Sequence, residues 1–283
     1  MERSPESEPE SLPSVGRTAV GVAALRALES NRPDRLFDDP YAGAFFAAGR
    51  SLFPEAPPEL DAAGPAPDSF GALFALPIAV RTRRYDDQLP AAGCPQVVLL
   101  AAGLDTRAFR LAWPDGVRVF ELDLPEVLRF KGSVLNQLNS TPRCARAEVP
   151  ADLREDWSSA LRAAGFQPEV PTAWLAEGLL VYLTREQATD LLATVTALSA
   201  PGSRLFFEDR PAEVSAELTS RFRTAPGGEQ ILKLWLGGLA GTGAGWLAEH
   251  GWSTEQTSMA DVAESYGRSS DLGRLFDFVA GRR

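Results

Sequence analysis

From residue 96 onward, apolar runs of strand length alternate with longer segments of helical period. VVLLA at 97–101 is continuously apolar and predicts a parallel strand buried on both faces. The run at 117–122 ends on Asp123 and predicts a second strand. RCARAEV at 143–149 predicts a weaker one, with PTAWLAEG at 171–178 and SRLFFED at 203–209 to follow. Helical patterns occupy 125–138, 153–164 and 185–199 between them. Such alternation is the mark of an α/β chain with a doubly wound, mostly parallel sheet.

The flanks break this rhythm. In 14–30, Val15, Ala19, Val22, Leu25 and Leu28 recur at helical intervals. A second helix is expected over 38–49, with Asp39 as cap and Pro40 at its first position, and a third over 70–89. The prolines of 53–68 predict a loop. Residues 1–13 are acidic and proline-punctuated, predict a disordered tail and lack the apolar centre of a signal peptide. Residues 211–249 are helical and glycine-punctuated. They read as a lid inserted over the C-terminal edge of the sheet, where open α/β sheets bind ligands. A strand at 251–257, a helix at 259–266 and an antiparallel closing strand at 273–281 complete the pattern. The expected organisation is a tail (1–13), a helical preface (14–92), a Rossmann-like core (93–210 and 250–283) and the helical lid (211–249).

Composition narrows the partners. A net charge of −10 argues against a nucleic-acid binder, and Arg81, Arg83 and Arg84 are too local to track a phosphate backbone. Two cysteines and one histidine, His250, cannot build a zinc site, so no metal is expected. The longest apolar stretch, 70–80, is too short for a bilayer and contains Pro77. These features predict a cytoplasmic protein, monomer or homodimer, that acts on a small molecule.

The turn after the first strand carries the chemistry. A dinucleotide fingerprint needs glycine at the positions of Ala101, Gly103 and Thr106, and only Gly103 qualifies. Asp105 sits where a helix N-terminus would receive a pyrophosphate. An acid there repels phosphate and welcomes a cation, which favours S-adenosyl-L-methionine over a nicotinamide cofactor; its bland alternative is a helix cap. Asp123, twenty positions after Gly103, can accept from both hydroxyls of a ribose, or serve only as a strand-end turn residue.

LLAAGLDTRAFRL, VFELDLPEVL with the following Lys131, ADLREDW and WLAEGLLVYL, together with NRPDRLFDDPYA, VRTRRYDD and HGW, resemble the leucine carboxyl methyltransferase and tetracenomycin-type polyketide methyltransferase family. The likeness runs from about Ser14 to the C-terminus and departs at Ala101, where many members have glycine. It implies a Rossmann-like S-adenosyl-L-methionine-dependent methyltransferase. Arg81, or else Arg83, would pair with the cofactor's carboxylate, and Gly103 would admit its methionine and ribose. Asp123 would take the ribose hydroxyls, Asp152 the adenine amino group and the Leu153 N–H a ring nitrogen. Glu177 would lie near the cofactor's ammonium and Tyr182 beside the transferable methyl. Each has a bland alternative: a solvated helix charge for Arg81, a helix cap for Asp152, an ion pair for Glu177 and core packing for Tyr182.

A carboxylate acceptor is ionised at pH 7 and needs no base, whereas phenols and alcohols must lose a proton. His250 reads as a surface or packing histidine, so a carboxyl acceptor giving a methyl ester is the simpler case, with Tyr182, Glu177 or water as possible bases otherwise. Phe206, Phe207 and Arg210, then Arg221, Phe222, Arg223, Trp235 and Trp246, suit an aromatic or polyketide acid, though helix packing also explains the tryptophans. Arg83, Tyr182, Arg210 and Trp235 are the expected acceptor contacts. The alternatives are a phenolic or alcoholic acceptor, a protein C-terminal carboxylate, a nicotinamide-dependent oxidoreductase, and a cofactor-binding protein without catalysis.

Overall fold

The computed structural model describes residues 14–52, 69–212, 216–225, 228–269 and 275–283. The expected tail at 1–13 and the proline-rich loop lie outside the described residues. Among the described residues, no helix is long and apolar enough to cross a membrane.

Seven strands form one sheet: β1 (Gln96–Leu100), β2 (Arg118–Asp123), β3 (Ala145–Pro150), β4 (Thr172–Ala176), β5 (Arg204–Asp209), β6 (Ser253–Ser258) and β7 (Asp277–Arg282). Their spatial order is β3-β2-β1-β4-β5-β7-β6. The first five run parallel, and β7 enters antiparallel between β5 and β6, as a closing strand should. The order reverses at β1, so the crevice outside the ends of β1 and β4 is the ligand position of the fold.

Period-two burial builds both cores. Val97, Leu99, Val119, Ala173, Leu175 and Phe206 face one side, against α1 (Ser14–Ser30), α2 (Ala42–Ala48), α3 (Phe70–Ala91) and α11 (Met259–Ser265). Val98, Leu100, Phe120, Leu122, Trp174, Leu205 and Phe207 face the other, against α6 (Trp157–Ala163), α7 (Arg185–Ala197) and α10 (Gly243–Glu249). The helical preface is thus one of the layers covering the sheet. Ser69 caps α3, and Thr184 with Gln187 closes a capping box on α7.

The helix after β1, α4 (Arg107–Arg110), is a single turn followed by an irregular loop to β2. Two expectations are corrected. The helix expected from 153 begins at Trp157, capped by Asp156, since Asp152 instead holds a preceding turn through Glu155. The second helix starts at Ala42 rather than Pro40; Asp39 accepts from the Tyr41 N–H and its carboxylate pairs with Arg26. The helix after β2, α5 (Pro125–Gln137), matches its expected start, with proline in the first turn.

Beneath the sheet, Lys131 of α5 meets Glu121 of β2 at 2.7 Å with both side chains fully buried, and Arg146 reaches the same carboxylate at 2.5 Å. Removing one partner of a buried pair leaves an uncompensated charge. Lys131→Met leaves Glu121 with Arg146 as its remaining cation and should cost about 1–3 kcal/mol in urea denaturation, whereas the double change Glu121→Leu with Lys131→Met, in which Arg146 keeps Glu148, should recover part of the loss.

Candidate functional site

Two left-handed residues shape the turn after β1, Ala101 (φ 51°) and Gly103 (φ 50°). The Gly103 N–H donates to Asp123 Oδ2 at 2.6 Å, and the Leu124 N–H donates to Oδ1 at 2.7 Å. The carboxylate that ends β2 is thereby folded under the turn that ends β1. Burial pushes the Asp123 carboxyl up, against the pull of these two N–H groups. Helix α1 covers the turn: a Cβ on Gly103 would lie 3.6 Å from Ala19 Cβ, and Arg26 donates to the Leu104 carbonyl at 2.6 Å.

A line of buried charges continues from this turn. Asp105 accepts from the Arg107 N–H at 2.7 Å and pairs with the Arg107 guanidinium. Arg107 also pairs with Asp86 of α3 at 2.7 Å and with Glu177, just past β4, at 2.6 Å. The other oxygen of Glu177 takes Arg81 Nε of α3 at 2.9 Å, and Arg110 caps Asp86 at 2.6 Å. Burial opposes ionisation of Glu177, yet Arg107 and Arg81 hold its carboxyl below the usual range. Behind it, Glu208 accepts from the Gly178 N–H at 2.6 Å, and burial pushes its carboxyl up. Gly178 has φ 61°, and a Cβ there would meet Arg81 Nη1 at 2.8 Å, so the close approach of arginine to backbone requires glycine.

The expected site residues divide into groups. Gly103, Asp105, Asp123, Glu177 and Arg81 gather at the β1–β2–β4 edge. Asp152, beyond β3, accepts from Arg154 at 2.5 Å and lies next to Leu153, which is half-buried. Tyr182 ends a 3-10 turn at Leu180–Tyr182 and is half-buried. The insertion is laced to that turn, because the Leu236 N–H donates to the Val181 carbonyl at 2.8 Å and Gly238 N–H to the Leu183 carbonyl at 3.0 Å. A Cβ on Gly238 would lie 2.6 Å from the Leu180 oxygen. Arg210, immediately after β5, stacks on Trp235 with its Cζ 4.8 Å from the ring centroid. Arg83 stands apart: it pairs with Asp87 at 3.0 Å and donates to the Leu36 carbonyl.

The only histidine is placed away from all of these. His250 precedes β6, which runs parallel to β5, so it lies at the N-terminal edge of the parallel strands. There it stacks on Trp246, and its Nδ1 is 2.7 Å from the Trp246 carbonyl oxygen. Two surface clefts, of about 460 Å³ beside α1 and α2 and about 520 Å³ along α5, also lie off the charged line. The charged line is the better candidate, because its paired, buried groups with shifted pKa values converge on the topological switch point where open α/β sheets bind ligands.

Sequence reasoning missed the centre of this line, Arg107 and Asp86. The spacing of Asp105, Arg107 and Arg110 offered a local hint, but the partners on α3 and β4 are set by packing alone. It also missed Asp209, whose carboxylate accepts from the Gly241 and Gly243 N–H groups at 3.0 and 2.7 Å and ties the insertion to β5.

Burial opposes ionisation of Asp105, but Arg107 outweighs it and holds the carboxyl down to about 2. A carboxyl depressed in the folded state contributes stability above its unfolded value, near 3.9, and loses it as pH falls toward 2. Asp105→Asn should cost roughly 2 kcal/mol at pH 7 and flatten the stability curve between about pH 4 and 2, read by urea denaturation. An unchanged slope there would show that Asp105 stores no such energy. Ala101→Gly should raise stability by about 1 kcal/mol, because alanine is strained at positive φ.

The description "Leucine carboxyl methyltransferase" belongs to the family model that matches residues 19–196. A protein of Parafrankia sp. (strain EAN1pec), provisionally named an S-adenosyl-L-methionine-dependent methyltransferase, is 49% identical over 90% of this chain and 82% of its own. One from Streptomyces coelicolor with the same provisional name is 45% identical over 90% of this chain and 88% of its own. Among solved structures, a duf574 family protein from Streptomyces avermitilis superposes with TM-score 0.53 at 16% identity, covering 93% of this chain and 96% of that one. A protein of Thermobifida fusca described as a provisional methyltransferase gives TM-score 0.53 at 19% identity, covering 94% of each. At those identities the structures speak to the fold alone.

Proposed function

From the premise that this chain belongs to the leucine carboxyl methyltransferase family, and is therefore an S-adenosyl-L-methionine-dependent methyltransferase, we propose that it methylates a carboxylate of a small-molecule acceptor, such as a polyketide acid, to give a methyl ester. What supports the acceptor class is the state of the groups at the C-terminal edge among the described residues: Glu208, whose carboxyl burial raises, is engaged by the Gly178 N–H at 2.6 Å behind Glu177 rather than free to take an acceptor's proton. His250 is at the opposite edge of the sheet, and Glu177 is held ionised between two arginines. A Glu177 stabilised in this way is a weak proton acceptor, which disfavours phenols and alcohols and leaves Tyr182 or water for them.

The residues present fit the cofactor. Asp123 ends β2 with its carboxylate drawn against the Gly103 turn, and we assign that carboxylate to the ribose diol. Arg81 and Glu177 form a matched pair of opposite charges, suited to the cofactor's carboxylate and ammonium. Asp152 and the Leu153 N–H, at the β3 end, are assigned to adenine. A pyrophosphate fits poorly: α4 is a single turn with little dipole, and the Asp105 carboxylate sits at its start. That geometry disfavours the nicotinamide alternative.

When bound, the cofactor would supply an electrophilic methyl group on a positively charged sulfur, for transfer to the acceptor oxygen. The protein's part is alignment and exclusion of water. In the proposed division, α1 closes over the Gly103 turn, the described residues of the insertion (211–212, 216–225 and 228–249) cover the acceptor side, and Tyr182 lines the space between. Asp105 is turned toward Arg107 and acts through it, holding Glu177 in place. We read the chain as one Rossmann-like core, 93–210 and 250–283, with the preface 14–92 and the lid as its covers.

Calorimetric titration with S-adenosylhomocysteine should show micromolar binding or better, with none for reduced nicotinamide dinucleotide. Asp123→Ala should weaken it at least tenfold, about 1.5 kcal/mol, with the fold intact. In turnover with an accepted acid, mass spectrometry should find the methyl on oxygen, released as methanol by mild alkali; a methyl on nitrogen or carbon would refute the ester reading.

A further inference from the structure

Resting on the methyltransferase reading of the site, we propose that Glu208 and Tyr85 are positioning residues for the amino-acid end of the cofactor. They steady Arg81 in the free protein and release it to the cofactor's carboxylate when Glu208 takes up one proton from solvent. Both act through Arg81 rather than on the transferred methyl. The geometry starts from strand register. Ala176 pairs with Phe207 across β4 and β5, so the next residues, Glu177 and Glu208, bring two carboxylates side by side. Arg81 serves both. It pairs with Glu177 at 2.9 Å, lies against Gly178, and its charge favours the ionised form of Glu208. Tyr85 is one turn further along α3, on the same face as Arg81. Glu177 has a second cation in Arg107 at 2.6 Å, whereas among the described residues no cation forms an ion pair with Glu208.

Two oxygens here are left unsatisfied. Glu208 Oε2 accepts from the Gly178 N–H at 2.6 Å, but Glu208 Oε1 and the Tyr85 hydroxyl oxygen are both buried with no hydrogen-bond partner. The two groups lie close enough to act on each other, and together they can hold one proton or two. With one, the Tyr85 O–H points at an ionised Glu208. With two, the Glu208 O–H donates to the Tyr85 oxygen. Burial and the neighbouring Glu177 favour the neutral carboxyl, and Arg81 is the largest influence on the other side. The remaining neighbours leave this balance alone. Opposite Glu208, β7 presents Phe278, while Asp209, level with Asp277, turns to the Gly241 and Gly243 N–H groups. Arg107, with Asp105, stands beyond Glu177.

Cofactor binding tilts the balance in one direction. Arg81, once turned to the cofactor's carboxylate, no longer offsets Glu208. Glu177, once it faces the ammonium, still keeps Arg107. The amino-acid end is neutral as a whole, yet Glu208 alone loses its main counter-charge and so becomes the carboxyl that is easiest to neutralise. A proton on Oε1 ends the competition: a neutral Glu208 still accepts from Gly178 and no longer pulls on Arg81. Already protonated in the complex, Glu208 is no base for the acceptor, in keeping with a carboxylate substrate.

The test is calorimetric titration of the full-length protein with S-adenosylhomocysteine between about pH 5.5 and 8, in buffers of different ionisation enthalpy, which counts the protons exchanged on binding. The unaltered protein should take up a measurable fraction of a proton. Uptake means that binding tightens as pH falls, by at most about tenfold per pH unit. Glu208→Gln keeps an acceptor for Gly178 and is neutral from the start. It should abolish the uptake, flatten the profile and bind at least as tightly as the unaltered protein at the alkaline end. A merely structural glutamate predicts the reverse, weaker binding at every pH with the profile unchanged. Glu208→Ala, which strands the Gly178 N–H, should bind several-fold more weakly. Tyr85→Phe removes the O–H that steadies the ionised carboxylate and should move the profile to higher pH. Circular dichroism melts report whether each variant is folded. Binding without proton uptake, or uptake that survives in a folded Glu208→Gln protein, would overturn the proposal. Absence of binding by the unaltered protein at every pH would instead refute the cofactor reading, and this assignment with it.

Discussion

The guanidinium of Arg107 is the constraint on which the site depends. It is almost fully buried, and three carboxylates from three parts of the chain close around it: Asp86 from α3, Asp105 from the turn after β1 and Glu177 from the end of β4. A buried cation that lost one of these partners would strand charge in a low-dielectric interior, so the three elements are held in one arrangement. The preface helix α3 is thereby fixed across the C-terminal edge of the sheet. Arg81 and Tyr85, on the same helix, are carried into position with it.

The same line of charge has a functional consequence on the proposed reading. Arg81, Arg107 and Arg110 face Asp86, Asp105, Glu177 and Glu208, and Glu208 is the carboxyl that burial drives toward its neutral form. Three arginines thus stand against four carboxylates, of which Glu208 is the one whose charged form burial disfavours. A ligand end carrying one carboxylate and one ammonium can enter between Arg81 and Glu177 without changing the net charge of the buried region. A pyrophosphate would add negative charge beside Asp105 and has no such neutral path.

Much of the architecture was readable from local pattern. The apolar run at 97–101, the alternation ending on Asp123 and the strand ending before Glu177 each identify an element, because burial on a pleated sheet imposes a short period on the residues that fill it. The antiparallel closing strand was legible from the short connection before it. The cap of α6 moved from Asp152 to Asp156, since local propensity sets which residues can cap but not where the preceding turn ends. Within the site, Gly103 and Asp123 were visible from their twenty-residue spacing, and their contact through one N–H follows from the adjacency of β1 and β2.

By itself the sequence determined the order of elements, the strand ends that carry acids, and the family to which those motifs point, because each rests on interactions between residues close in the chain. Only the tertiary structure decided which charges meet. Arg83 and Arg81, two positions apart on α3, face different partners, Asp87 with Leu36 in one case and Glu177 in the other, because helical rotation separates them by more than half a turn. His250, read from sequence as a surface or packing histidine, is carried by strand direction to the far edge of the sheet. Arg210 and Trp235 are brought together across the insertion by packing alone. Long-range pairing of this kind depends on how helices and strands pack in three dimensions, which residue spacing along one chain does not encode.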